Sequence, residues 1–168
     1  MAVADLTLAA RAIELSDVII GKGVRTLTAT GGPDNQQVLA YDLAHASAAV
    51  ETARSILNYG ANGEIESTLS CAFVADMVHD LVSRLIGREE LWGVDASALA
   101  ESHNFVQKYR DPQLLASLAY QPGPRHLNGE YEMVQDTFRS FADKVIAPNA
   151  EHVHRKKGPI RSRRSHRS

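Results

Sequence analysis

Apolar residues recur along this chain at helical spacing. Between Gln36 and Tyr59, the residues Leu39, Leu43, Ala46, Val50, Ala53 and Leu57 stand alternately four and three apart, the seam of a packed helix. Gly60 follows where a helix-ending glycine belongs, and Asn62-Gly63 makes the turn. A second ridge of Ile65, Leu69, Phe73, Met77, Leu81 and Leu85 predicts a helix over 64–86, with Val74, Val78, Val82 and Ile86 beside it and Gly87 closing it. Two long helices joined by so short a turn should pack antiparallel.

The flanks follow the same period. Leu6, Leu8, Ile13, Val18 and Ile19 predict a helix within 3–28, and Gly21 and Gly23 predict a break or kink in it. ATGGPDN (29–35) is a turn with Pro33 placed for a first helical position. Further helices are expected over 96–109, with Leu99, Phe105 and Val106 inward, and from Asp111-Pro112 to Ala119. QPGPRHLNG (121–129) reads as the internal boundary. A last helix begins near Glu130, carries Met133, Val134, Thr137, Phe138, Phe141, Val145 and Ile146, is bent or restarted by Pro148, and runs to about Arg155. No segment alternates with the two-residue period of a strand. The expected fold is all-α: an antiparallel bundle of five to six helices. It divides into a bundle over 1–125, a second helical segment over 126–155 and a disordered basic tail over 156–168.

Composition supports helices and then divides the chain. Aromatics are 6% of residues, and alanine and leucine lead the apolar set. No stretch approaches the run of about 18 apolar residues needed to span a membrane. The start has no basic segment ahead of an apolar one, so no signal peptide is expected. The lone cysteine, Cys71, excludes an intrachain disulfide, and together these features lead to an expectation of a cytoplasmic protein. Net charge is −2, but residues 155–168 hold seven of the 18 Lys/Arg and no acid. The remaining 11 face all 20 Asp/Glu, so residues 1–154 are strongly acidic. Nucleic acid is a poor partner for that body and could be met only by the tail.

Candidate chemistry is sparse. Asp42-Leu-Ala-His45 and Asp76-Met-Val-His79 place a carboxylate and an imidazole on one face of each long helix, the spacing used by carboxylate-bridged dimetal bundles. Such a site also needs a buried carboxylate from each of two further helices and normally uses the longer Glu. The same four residues also read as polar flanks of a helix seam. Cys71, between Ser70 and Ala72 on an apolar helix, reads as a small buried thiol. Trp92 reads as an anchor for a helix end, with a partner interface as the alternative. Arg84 and Arg88 suit the negative end of the third helix dipole. GKGVR (21–25) lacks the strand and spacing of a phosphate loop. No nucleophile, base and oxyanion donor assemble.

The last helix carries a resemblance. EMVQDTFRSFADKVIAPNAE (132–151), followed by His-Val-His-Arg155, resembles the first helix of the acyl-CoA dehydrogenase flavoenzymes, with its Phe138/Phe141 pair and Val-Ile-Ala-Pro ending. Residues 38–51 (VLAYDLAHASAAVE) and 73–93, ending in GREELWG, are similar to the helical N-terminal extension of some longer bacterial members. The resemblance implies an FAD-dependent oxidoreductase of fatty acid metabolism acting on acyl-CoA thioesters; the wide apolar face of 132–151 leads to the expectation of a homo-oligomer, with no membrane as partner. The resemblance also implies FAD bound chiefly by a middle β-domain, a carboxylate of a C-terminal helical domain removing the α-proton, and flavin N5 taking the β-hydride. Those regions have no counterpart here, so no catalytic or cofactor-binding residue carries over. Where the family continues into a second helix, this chain reads KKGPIRSRRSHRS. A truncated or frame-shifted product, inactive alone, is expected. The alternative is a helical interaction module, with a basic tail for nucleic acid or an anionic surface.

Overall fold

The computed structural model describes residues 5–95, 97–121, 123–124 and 126–155. The expected tail over 156–168 lies outside them. Helices are α1 (Leu6–Ala29), α2 (Gln37–Gly60), α3 (Glu64–Leu85), α4 (Glu89–Trp92), α5 (His103–Tyr109), α6 (Pro112–Ala119), α7 (Gly129–Phe141) and α8 (Ala147–Arg155). No strand occurs among the described residues, so the fold is all-α. The chain divides into two units between Gly123 and Pro124.

In the first unit, α1, α2 and α3 form an antiparallel bundle. Ile56 meets Ser70 beside the α2–α3 turn, while Asp42 meets Arg84 at the far end of the pair. On the other side Arg54 of α2 pairs with Asp17 of α1, and Leu43 packs against Gly23. Helix α3 is central, and its buried residues extend around most of its circumference. The seam of α2 is buried as its spacing predicts, through Leu39, Leu43, Ala46, Val50 and Ala53. Burying each such branched side chain contributes about 1.5–3 kcal/mol.

Several local expectations give way to packing. Helix α1 runs unbroken through Gly21 and Gly23. A Cβ at Gly23 would stand 2.8 Å from Leu43 and 3.1 Å from Trp92, so this glycine admits close approach and does not end the helix. Gly60 is the last residue of α2 and not a left-handed cap, since its φ is not positive. It is small because Ser70 Oγ and Leu6 crowd its Cβ position at 2.7 and 3.0 Å. On α3 the expected ridge residue Leu69 is exposed, and the helix buries Glu66, Ser67, Thr68 and Ser70 on that turn instead. The Ser70 hydroxyl lies 2.8 Å from the carbonyls of both Ile56 and Glu66, so its burial is satisfied.

Helix is absent over 97–99, where the period predicts it. Asp95 accepts from both the backbone N–H and the hydroxyl of Ser97, a turn that competes with helix, and a 3₁₀ turn at Ala100–Ser102 then leads into α5. These bonds, the Ser97 hydroxyl first, hold the Asp95 carboxyl below its ordinary pKa. Helix α6 starts as expected, with Asp111 capping Gln113 and Leu114 N–H ahead of Pro112.

Both ends of this unit lie at one pole. The Asp5 N–H donates to the Tyr109 hydroxyl at 2.9 Å, and Leu6 packs beside Gly60. A Cβ on Gly123 would stand 2.8 Å from the buried carboxylate of Glu66, at the start of α3.

The second unit is one helical arm. Asn128 caps α7 by accepting from Tyr131 N–H, and helix continues without a restart to Arg155. Pro148 lacks an N–H and crowds the carbonyl four residues back. The chain accommodates it with a π turn at Ala142–Ile146, in which Ala147 N–H reaches back to Ala142 O.

Candidate functional site

The two Asp-x-x-His units occupy α2 and α3 as the sequence places them, but their side chains serve separate purposes. Asp42 is 7% exposed and is held by two arginines, Arg84 Nη1 on Oδ1 and Arg88 Nη1 on Oδ2, each at 2.8 Å. Arg84 also reaches Asp80 at 3.0 Å, and Asp80 first, then Asp42, raise its pKa above the ordinary value. This clamp ties α2 to the end of α3 and satisfies both carboxylate oxygens. His45 is exposed, its ring 4.3 Å from that of Tyr41. Asp76 is exposed and pairs at 2.7 Å with Arg110, just beyond α5. His79 is exposed at the rim of a groove. Among the described residues no three His, Cys, Asp or Glu side chains gather into a metal-binding group. The carboxylates a dimetal centre would need are instead engaged by arginines.

The Arg84–Asp42–Arg88 contact is the feature that reading by residue type passed over. Both arginines do lie at the end of α3, yet they also clamp a buried carboxylate 42 and 46 positions earlier. The available signal was Asp42 itself, one position from the seam residue Leu43 on an otherwise apolar stripe.

Cys71 is fully buried, and burial pushes its thiol pKa up, opposed by a hydrogen bond with Tyr109. A thiol held protonated is a poor nucleophile. Trp92 is 0% exposed and packs on Gly23, which makes it a core anchor. Its indole N–H finds no acceptor among the described residues.

Two surface features bear on binding. On the first unit, His79 and His103 flank a groove of about 300 Å³ floored by Val78, Val82, Leu99 and Val106. On the second, the arm presents an apolar stripe: Phe138 is 68% and Phe141 52% exposed, with Tyr131, Val134, Val145, Ile146 and Val153 also exposed. No residue of α7 or α8 is buried. Shallow hollows run along the stripe at Val134–Phe138 and at Ile146–Val153. No described helix is long and apolar enough to cross a membrane.

Comparison with known proteins gives no match: no family model, no curated protein and no solved structure is detectably similar to the chain.

Proposed function

We propose that the chain is the N-terminal helical part of an acyl-CoA dehydrogenase-like, FAD-dependent oxidoreductase, without activity of its own. One observation carries the reading. The residues that resemble the family's first helix form a single amphipathic arm whose whole apolar face stands exposed ahead of Ala147-Pro148. A stripe of that size is what the first helix of a larger helical domain presents to the helices that follow. The preceding unit, with its own closed core, fits a helical extension placed ahead of that domain.

The groove between α3 and α5 does not fit FAD. Aliphatic residues floor it, His79 and His103 are its only titratable side chains, and no glycine of a phosphate-cradling loop lines it. In this reading flavin and catalytic carboxylate belong to other regions of such an enzyme, and no step of α,β-dehydrogenation is assigned to a residue here. The 168-residue chain should purify colourless and leave acyl-CoA substrates unoxidised with a ferrocenium acceptor. Reading the gene beyond Lys156 in all frames should reveal flavin-domain sequence. The extended product should absorb near 450 nm and reduce the acceptor with an acyl-CoA. Stops in every frame, or an extended product without flavin, would leave the interaction-module reading in its place.

A further inference from the structure

We infer that the 129–155 arm of this chain pairs with the same arm of a second copy, antiparallel, about a centre near Ala142. The inference does not rest on the flavoenzyme reading; it concerns what the exposed stripe meets in the 168-residue chain itself. Tyr131, Val134, Phe138, Phe141 and Val145 recur alternately three and four residues apart, and the π turn brings Ile146 and then Val153 into the continuation of the stripe. The arm is about 40 Å long at 1.5 Å per residue. Its three aromatics are each more than half exposed. Counted over two copies with the aliphatic residues between them, the stripe offers on the order of 1,000 Å², enough for a specific interface.

Charge selects the partner and its direction. The α7 end carries Glu130, Glu132 and Asp136, whereas the last turn of α8 carries His152, His154 and Arg155, followed in sequence by Lys156 and Lys157. Arg155 also meets Glu151 within its own helix. Aligned in parallel, two arms would set the α7 acids against one another and Arg155 against Arg155, with the neutral imidazoles of His152 and His154 beside it. Reversed about Ala142, Glu130 and Glu132 of one copy come beside His152, His154 and Arg155 of the other, with the aromatics packed between. The acids of α7 also make an anionic membrane a poor alternative for this face.

Light scattering after size exclusion should give twice the chain mass, and Phe138→Asp should weaken association at least tenfold while the Trp92 near-ultraviolet signal of the first unit stays unchanged. Direction is read by cysteine cross-linking with a short bis-maleimide, since Cys71 is buried. Ala142→Cys should cross-link to itself. Glu130→Cys should not, because antiparallel copies hold those positions about 36 Å apart. A mixture of Glu130→Cys and His154→Cys should give heterodimers. A monomer at 100 µM, polydisperse aggregates, monomers that sediment with phosphatidylglycerol vesicles, or efficient self-cross-linking of Glu130→Cys would each overturn the inference. None of these outcomes bears on whether the extended gene product binds flavin.

Discussion

Gly21 and Gly23 sit two residues apart on the same helix and should answer oppositely to the same substitution. A Cβ at Gly21 would meet only Arg25 Nη1, at 3.7 Å, so Gly21→Ala should stabilise by about 0.5–1 kcal/mol through helix propensity and a stiffer unfolded chain. Gly23→Ala forces a methyl against Leu43 and Trp92 and should cost about 1–3 kcal/mol despite the same propensity gain. Urea denaturation of both variants checks the pair. Two equal stabilisations would mean that Trp92 is free to retreat. Cys71 gives a pH-dependent test. Its folded pKa is raised, so its contribution is complete below the unfolded thiol value of about 8.5 and fades as pH climbs through the folded one. Relative to Cys71→Ala, the native chain should therefore lose stability as pH rises above about 8.5. A constant difference across that range would place the thiol in a less buried setting. Sequence spacing located both residues but misread Gly23, because local rules weigh a glycine by backbone freedom and say nothing of a distant Trp92.

Among the elements, the α2–α3 pair was legible because its period is long, uninterrupted and bounded by turn residues. The failures lie where side chains compete with the backbone or with one another. Asp95 draws Ser97 into a turn and delays α5, and Leu69 is displaced from the core by the Ser67–Ser70 face, whose hydroxyls find helix carbonyls. The Asp42 clamp escaped for another reason: one charge on a seam does not announce which distant cations will meet it. Its energetics are testable. Arg84→Ala with Arg88→Ala leaves a carboxylate buried without a counter-charge and should cost about 3–5 kcal/mol, and adding Asp42→Asn should restore more than half. Urea midpoints for the double and triple variants decide this. No recovery would show that the arginine stems, through packing, carry the stabilisation.

At the scale of the whole molecule, the core belongs to the first unit and the exposed apolar surface is concentrated in the second. A chain ending at Gly123 should therefore keep a cooperative thermal transition within about 2 °C of the native one, since a 1 kcal/mol change shifts a domain of this size by a few degrees. Calorimetry checks it, and loss of cooperativity would show that the arm supports the bundle. Proline and glycine cluster over 121–129, across which the two units divide, whereas the unbroken helix across Pro148 was not legible in residue type. A π turn depends on how a carbonyl ladder yields to proline, which residue type alone does not specify.

The hydrogen bond from Asp5 to Tyr109, the packing of Leu6 on Gly60 and the seat of Gly123 against Glu66 bring the beginning and end of the first unit to one pole. The bundle is thus nearly a closed loop of chain, and its starting point is a matter of connectivity more than of architecture. A circular permutant that joins residue 123 to residue 5 through a short glycine linker, and opens between Gly32 and Pro33 in the exposed α1–α2 turn, should reach the same helical bundle with the same Trp92 environment.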